Sequence, residues 1–252
     1  MTKIIYDFGA NNGDDIPYYL LKADRVVAVE ANPVLAEGIA SRFAPEVESG
    51  RLHVVGCALT DGETSGAATF HVHRHYHFLS QFPAPEGDAA HDFKTIEVPT
   101  IGVVELVRAQ GAPFYVKIDV EGYDQNILRA LFEAGIYPPY ISVESHSIEV
   151  FALLVASGRY GAFKLVEGNT VERRYGEAQV ATANGGRTAY RFPRHSAGPF
   201  GEDIEGPWMT ANAFFKVLSV TGLGWRDIHA SRVDAPDADY LPATRFALTS
   251  DF

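Results

Sequence analysis

Two different spacings of apolar residues alternate along this chain, and each change of spacing marks a new element. Short runs rich in Val, Ile and aromatic residues predict strands, and apolar residues three and four positions apart predict helices. The predicted core strands are 3–8, 25–30, 51–59, 114–119, 140–144 and 163–166, with 189–192 pairing against the last of them. The predicted helices are 14–22, 33–43, 103–110, 121–134, a stretch ending near Ser157, and 208–220.

This alternation predicts an α/β fold with a parallel sheet that is covered by helices on both sides. In such sheets ligands bind beyond the carboxyl ends of the strands. Acidic residues end four of the predicted strands and are therefore expected on one rim: Asp7, Glu30, Asp119 and Glu144. Core strands seldom need an acid at that position, whereas a cationic ligand does, so the rim is the predicted site.

The first strand runs into a glycine-containing turn with Gly9 and Gly13. Glycine accepts backbone conformations and close approaches that a Cβ would block, so a ligand can lie against the main chain here. Dinucleotide sites use Gly-x-Gly-x-x-Gly, but this chain has Gly9-x-x-x-Gly13 followed by Asp14 and Asp15. Two carboxylates would repel a pyrophosphate and suit a cation.

Glu30 follows these glycines at roughly the separation at which α/β nucleotide sites hold a ribose diol. The expected ligand therefore carries a ribose and a positive charge but no phosphate. S-adenosylmethionine, a nucleoside with a sulfonium cation and an amino-acid tail, fits that description and is the predicted cofactor.

Four sequence blocks together resemble the FkbM family of methyltransferases. They are Asp7-Phe8-Gly9-Ala10-Asn11-Asn12-Gly13, Val29-Glu30-Ala31-Asn32-Pro33, Val116-Lys117-Ile118-Asp119-Val120-Glu121-Gly122-Tyr123 and Ile141-Ser142-Val143-Glu144. The resemblance implies a Rossmann-like class I methyltransferase fold with a mostly parallel, seven-stranded sheet. It also implies methylation of an oxygen, on a sugar or natural-product hydroxyl, and places Cys57 and Ala58 beside the adenine. A small buried apolar role for Cys57 fits the same place.

The expected cofactor contacts follow from these positions. Gly9, Ala10, Asn11 and Gly13 are predicted beneath the methionine part of the cofactor, and Glu30 with Ala31 at the ribose. Asp7 is expected either to bond the cofactor's ammonium group or to order the turn. Two residues have structural roles as the preferred interpretation: Asn32 as a helix N-cap, and Lys117 paired with a rim carboxylate.

Methyl transfer from a sulfonium is an in-line displacement, and a hydroxyl acceptor needs a general base. The candidates are Asp119, Glu121, Glu144 and His146. We predict His146 or Glu144 as the base, because both leave the fifth strand where an acceptor would enter. Asp119 and Glu121 then position donor and acceptor. Stabilisation of a helix N-terminus by Glu121 and helix capping by His146 are the structural alternatives.

Four histidines occupy every second position between Thr69 and Phe78: His71, His73, His75 and His77. On a strand they would share one face. Adjacent residues on that face lie too far apart for their side chains to converge on one ion without a bend, so no metal is predicted there. His77 and Ser80, beside Phe78 and Phe82, are alternatively expected to line an acceptor pocket.

The composition supports one α/β domain: 252 residues, 46% hydrophobic and 21% charged. We predict the cofactor-binding core over 1–195, with 196–252 as a loop, helix and tail packed on it. The loop-forming stretch 196–207 is expected to cover the acceptor side, and the last twenty residues to be an irregular tail. A formal charge of −11 and a pI near 5.2 argue against a nucleic-acid partner.

Cys57 is the only cysteine, and the sequence shows neither a signal segment nor an apolar run of membrane-spanning length. We therefore expect a cytoplasmic, soluble protein whose partner is a small molecule or glycan. Two other functions stay open at this point: a non-catalytic nucleoside-binding module and an NAD-linked oxidoreductase. The residues do not identify the acceptor or the oligomeric state. They also do not decide whether an oxygen or a nitrogen is methylated, or whether a divalent metal takes part.

Overall fold

The computed structural model describes residues 2–62, 66–82, 84–85 and 87–234. Its strands are β1 (Ile4–Phe8), β2 (Arg25–Val29), β3 (Leu52–Val55), β4 (Ala58–Thr60), β5 (Gly66–His73), β6 (Phe93–Gly102), β7 (Tyr115–Ile118), β8 (Tyr140–Ser145), β9 (Ala162–Glu167), β10 (Ala178–Ala181), β11 (Arg187–Tyr190) and β12 (Gly224–Ser231). Its α-helices are α1 (Ile16–Lys22), α2 (Pro33–Arg42), α3 (Ala44–Glu48), α4 (Val103–Gln110), α5 (Asp124–Glu133), α6 (Ile148–Ala156), α7 (Val171–Arg174) and α8 (Ala211–Thr221).

The central sheet has seven strands in the order β3-β2-β1-β7-β8-β12-β9. Neighbouring strands are parallel except that β12 is antiparallel to both β8 and β9. The predicted class I methyltransferase fold is therefore confirmed. The carboxyl ends of β1, β2, β7 and β8 meet at one edge of the sheet, which is the rim where the sequence placed the acids.

Each face of this sheet carries its own apolar core. On one face the buried side chains of α4, α5, α6 and α8 pack on the strands, for example Leu128, Leu154 and Phe214. The other face is covered by α1, α2 and the segment around Phe200. Burying one such large apolar side chain contributes about 1.5–3 kcal/mol, so both layers hold the sheet in place.

The strand that completes the sheet is not the predicted one. We expected 189–192 to pair with β9, but β11 pairs only with β10, as an antiparallel hairpin. The place beside β9 is taken by β12, so the sheet extends past residue 195, where the predicted core ended. β12 was missed because Asp227, His229 and Ser231 alternate with its apolar residues, and these polar side chains are buried rather than exposed.

The predicted third strand, 51–59, is divided in two. β3 pairs with β2, and after Val55 the chain leaves the central sheet. β4 then joins a separate three-stranded sheet in the order β4-β6-β5. Cys57 lies at the break, where its N–H donates to the Val55 carbonyl at 3.2 Å. This change of partner turns Cys57 and Ala58 toward the rim.

Most of the stretch 196–204 is buried in the protein and does not form the cover over the acceptor side that was predicted for 196–207. Phe200 is buried and its ring stacks on Tyr115, with centroids 3.9 Å apart. Asp203 is also buried and pairs with Lys22 at 2.5 Å. The predicted irregular tail lies almost entirely outside the described residues, since 235–252 are not among them. In the part of the chain that is described, no helix has the length and apolarity needed to cross a membrane.

Candidate active site

A cavity of about 580 Å³ opens at the carboxyl edge of the central sheet. Its size is in the range of small-molecule sites. Most of the predicted site residues lie on its wall: Gly9, Ala10, Asn11, Glu30, Ala31, Cys57, Ala58, Asp119, Glu121, Glu144 and His146. Asp7 and Gly13 lie outside that wall. The structure therefore brings most of the predicted residues together in one cavity, and their roles there stay a prediction.

The turn after β1 depends on Gly9. Its φ is +82°, and a Cβ built there would lie 1.7 Å from the carbonyl oxygen of Asp119. The Gly9 N–H also donates to the Val29 carbonyl at 3.0 Å, which ties the turn to β2. Only glycine permits this approach, so the turn forms a narrow floor between β2 and β7.

Gly13 has φ +78° and closes the same turn from the other side. A Cβ there would lie 3.0 Å from Ile16 and 3.1 Å from Ile39. The residue therefore packs into the α1 and α2 interface instead of facing the cavity. Asn11 between the glycines also has positive φ, at 50°.

Glu30 is buried at the end of β2, and both of its carboxylate oxygens accept backbone hydrogen bonds. Asn11 N–H donates to Oε2 at 2.8 Å and Asn32 N–H donates to Oε1 at 2.7 Å. Burial raises the pKa of Glu30 to about 7, although these two hydrogen bonds act to lower it. Each carboxylate oxygen keeps a free lone pair, so Glu30 can also accept hydrogen bonds from the two hydroxyls of a diol. Asn32 caps α2 through its bond from Val34 N–H at 3.1 Å, as predicted.

Cys57 and Ala58 form an apolar part of the wall next to the small sheet. Both are buried, and Ala58 belongs to a cluster with Phe70 and Val98. Burial raises the pKa of the Cys57 thiol to about 12, so it is not a nucleophile at neutral pH.

Lys117 lies beneath the turn as a buried cation. Its Nζ donates to the Gly9 carbonyl at 3.0 Å and contacts Asp119 at 3.2 Å and Asp7 at 3.4 Å. The predicted pairing of Lys117 with a rim carboxylate is therefore confirmed. Burial alone would lower the pKa of Lys117, but the carboxylates of Asp119 and Asp7 outweigh it and hold that pKa above its usual range. Asp7 thus has an internal partner.

A hydrogen-bonded group of acids and a histidine forms the other half of the cavity. His146 Nε2 lies 2.8 Å from Glu144 Oε2 and 3.5 Å from Glu121 Oε2. Hydrogen bonds to Glu121 and Glu144 raise the pKa of His146. Burial, followed by the charge of Asp119, raises the pKa of Glu144. This group is therefore built to hold and pass a proton.

Glu121 is held in the left-handed backbone region, with φ 48°. α5 begins only at Asp124, so Glu121 does not stabilise the helix N-terminus from its first turn. Asp124 lies in that first turn instead, and its carboxylate also accepts from Val120 N–H at 3.0 Å and Gly122 N–H at 3.1 Å in the preceding loop. Strained non-glycine residues concentrate at functional sites, and here the strain directs Glu121 toward His146.

The four histidines do not share one strand face as the strand prediction required. β5 ends at His73, whose Nδ1 accepts from the backbone N–H groups of His75 and Tyr76 at 3.2 and 3.0 Å. This bond turns the chain, and His77 lies on the cavity wall. Among the described residues, the ligand set that could hold a metal ion is Glu121, Glu144 and His146, with candidate atoms within 4.8 Å of one another.

The family model for the methyltransferase FkbM domain matches residues 7–154. The chain belongs to the FkbM methyltransferase family. The matched part contains the glycine turn, Glu30, Lys117 and the Glu144–His146 pair. Residues of β12 and of the stretch 194–197 lie beyond this part, although both contribute to the same cavity.

Solved structures give weaker similarities. Methyltransferase FkbM from Methylobacillus flagellatus KT is 15% identical, with a TM-score of 0.43, over 66% of this chain and 40% of that one. The C-terminal domain of precorrin-6Y C5,15-methyltransferase from Rhodobacter capsulatus is 14% identical, with a TM-score of 0.40, over 91% and 79%. The O-methyltransferase from Bacillus cereus in complex with SAH is 11% identical, with a TM-score of 0.40, over 91% and 74%. A comparison with curated proteins gave no significant match.

This FkbM family member also has cavity residues that the sequence did not indicate. Asp227 and Trp225 come from β12, and Arg194 and His195 precede the packed 196–204 segment. Asp227 is buried and forms a register pair with Glu144 on the neighbouring strand. The period-two pattern of β12 could have revealed Asp227, had its polar positions been considered as buried ones, whereas Arg194 and His195 carry no such signal.

Proposed function

We propose that this FkbM family member transfers a methyl group from S-adenosylmethionine to a hydroxyl of a sugar or natural product. The observation that carries the proposal is the hydrogen-bonded group of Glu121, Glu144 and His146. It lies in the same cavity as the Gly9 turn and the Glu30 carboxylate. One half of the cavity can hold a nucleoside, and the other can take a proton.

The residues present fit S-adenosylmethionine. Gly9, Ala10 and Asn11 line the cavity at the turn after β1, where they suit the methionine part. Glu30, with Ala31 next to it, accepts from the ribose hydroxyls. Cys57 and Ala58 supply an apolar surface for the adenine. When bound, this cofactor supplies an electrophilic methyl group on a sulfonium.

The base in this proposal is His146, oriented by Glu144. Since Nε2–H donates to Glu144, the lone pair of the neutral ring is on Nδ1, which takes the acceptor's proton. The raised pKa of His146 keeps the ring protonated in the free protein at neutral pH. A cation bound beside the ring would disfavour the imidazolium and so favour the neutral ring that accepts a proton.

Asp119 and Glu121 hold the geometry around this base. Asp119 ends β7 next to Lys117 and keeps its charge, because that ammonium lowers its pKa against the effect of burial. Glu121 contacts the same imidazole nitrogen as Glu144, Nε2, at 3.5 Å. No metal is needed for these steps, and the expectation of a metal-free site stays a prediction, together with the cytoplasmic location.

The test is methyl transfer from labelled S-adenosylmethionine to a panel of glycosides and polyketide alcohols. The variants His146→Ala and Glu144→Gln should each lower turnover about 100-fold or more. Calorimetry with SAH should give an affinity within a factor of a few of the unmodified protein. The matched control is His53→Ala, since His53 is exposed on β3 and lies off the cavity wall.

Dialysis against EDTA should leave turnover unchanged. Unchanged turnover in both site variants would show that the base lies elsewhere, with His77 the next candidate on the wall. SAH binding without methyl transfer to any acceptor would instead favour a nucleoside-binding module. NAD, titrated beside SAH, should not bind.

A further inference from the structure

Three aromatic rings stand nearly parallel on the acceptor side of the cavity. The Phe78 and His195 ring centroids are 5.8 Å apart with an interplanar angle of 20°, and those of His195 and Trp225 are 6.4 Å apart at 22°. All three rings line the cavity. Phe78 is 42% exposed and Trp225 is 48% exposed, which is unusual for large aromatic side chains inside a cleft. Exposed apolar surface in such a place marks a binding surface.

The position of Trp225 is built into the fold. The pairing of β12 with β8 shifts register between Gly224 and Asp227, and Trp225 lies in this irregularity. Such bulges redirect a side chain that would otherwise follow the strand. The indole then occupies space that only a glycine leaves open, because a Cβ at Gly168 would lie 2.3 Å from Trp225 Nε1.

This wall adjoins the proposed base. Gly224 pairs with Ser145 and Asp227 pairs with Glu144, so the bulge that carries Trp225 lies beside the end of β8. His146 follows directly after that end. A ring held against the indole would therefore lie near the Glu144–His146 pair.

The charges of the lining indicate a neutral occupant. Its acids are Asp14, Asp15, Glu30, Asp119, Glu121, Glu144 and Asp227. Its Lys and Arg residues, among those described, are Lys117, which is paired with Asp7 and Asp119, and Arg194 at the exposed rim. An anionic acceptor would have to approach these acids, of which Asp119 keeps its charge although the pKa of Glu144 is raised, and that approach has an electrostatic cost.

We propose that Phe78, His195 and Trp225 form an acceptor-binding wall that selects neutral molecules with a ring, and that the ring stacks on Trp225 with its hydroxyl toward His146. This inference rests on the proposed methyl transfer and names the acceptor class for it. The shared chemistry is a six-membered ring with an apolar face. A sugar ring and a planar aromatic ring both provide that face.

The experiment is ligand-observed saturation-transfer NMR on the full chain with SAH, using four probes. Methyl β-D-glucopyranoside and phenol are neutral rings, sorbitol is an acyclic polyol, and glucose 6-phosphate is an anionic ring. At least one neutral ring should bind, while sorbitol and the phosphate should not. Binding of the glucoside alone identifies a sugar acceptor, and binding of phenol alone identifies an aromatic one.

Substitutions of the wall residues test whether the ring binds at this wall. Trp225→Ala should weaken ring binding about tenfold, and Phe78→Ala should weaken it in the same direction. Trp225→Phe should keep most of it. Phe215→Ala is the matched control, since Phe215 is an equally exposed aromatic residue on α8 and does not line the cavity.

Ring binding that is unchanged in both Trp225→Ala and Phe78→Ala would overturn the wall, as would the absence of binding by both neutral rings. SAH calorimetry on the same samples separates this from the proposed function. Normal SAH binding without ring binding would refute the wall alone. Ring binding without SAH binding would support the wall and count against methyl transfer.

Discussion

Replacing Lys117 by methionine should destabilise the protein far more than the same replacement at Lys164. The two lysines lie in one transverse row of the central sheet, with the same orientation relative to its faces. On five adjacent strands that row consists of Asp7, Lys117, Ser142, His229 and Lys164. These five side chains are all buried. The pair therefore compares two buried ammonium groups in one sheet.

Their partners differ. Lys117 contacts the carboxylates of Asp119 at 3.2 Å and Asp7 at 3.4 Å. Lys164 donates to the Ile204 carbonyl at 2.8 Å and lies over the Trp208 ring, without an ion pair among the described residues. In line with this, burial lowers the pKa of Lys164, whereas carboxylates outweigh burial at Lys117.

Methionine has a similar length and no charge. At position 117 it leaves two carboxylates without their counterion, and losing one partner of a buried ion pair costs about 3–5 kcal/mol. At position 164 it removes one hydrogen bond, and the relief of burying a charge offsets part of that loss, so we expect less than about 2 kcal/mol. The free energy of unfolding of a domain is about 5–15 kcal/mol, so Lys117→Met should remove a large part of it.

The difference should also depend on pH. In the unmodified protein Lys117 keeps the folded pKa of Asp119 below its unfolded value, and this contribution to stability is present above that value and lost as pH falls. Without Lys117 the folded pKa of Asp7, already raised by burial, rises further. The folded state then binds more protons than the unfolded state, so its stability falls as pH increases, by up to about 1.4 kcal/mol per pH unit for each carboxyl.

Urea denaturation followed by circular dichroism at pH 5 and pH 8 measures both effects. The Lys117→Met protein should lose more stability at pH 8 than at pH 5, and adding Asp7→Asn should restore part of it. Lys164→Met should show neither effect. Equal losses for the two lysine variants, independent of pH, would refute the idea that Lys117 balances the carboxylates.

Two further predictions concern the ligand contacts and the strained turn. Glu30→Ala should weaken SAH binding by about 1.5–3 kcal/mol. In the unmodified protein the affinity for SAH should fall as pH drops below about 7, where Glu30 takes up a proton. Calorimetry across pH should find no such dependence in Glu30→Gln, and a dependence that persists in this variant would show that Glu30 does not bind the ribose. Glu121→Gly should be more stable than Glu121→Ala by about 1 kcal/mol, because glycine adopts the positive φ without strain. Both variants should lower turnover. If calorimetric melting shows the alanine variant to be more stable than the glycine variant, the backbone at Glu121 is not strained.

The sequence predicted the parts of the fold whose patterns are local. Apolar runs ending in Glu30, Asp119 and Glu144 identified strands and their carboxyl ends together, because a buried strand has few other reasons to end in an acid. The spacing of Gly9 and Gly13 identified the turn between β1 and α1. These features lie close together along the chain, and their physical cause is the conformation of a few residues.

What the sequence could not predict depends on contacts between distant segments. β12 is a core strand with buried polar side chains, and its place in the sheet follows from pairing with β8 and β9. Phe200 reads as a loop residue, yet it stacks on Tyr115 in the core. His73 ends a strand by accepting two backbone N–H groups. No periodicity in the sequence encodes any of these contacts.

The four acids at the rim, Asp7, Glu30, Asp119 and Glu144, all lie at strand ends, but they differ in their distance from the buried cation Lys117. A sulfonium loses its charge as the methyl group leaves, so carboxylates that favour the bound cation would stabilise the ground state more than the transition state. Lys117 already neutralises much of the charge of Asp7 and Asp119, nearest the Gly9 turn. Glu144 lies one strand farther out and shares its proton with His146 instead. In the proposed reaction, this arrangement keeps excess negative charge away from the methyl donor and leaves proton acceptance to the Glu144–His146 pair.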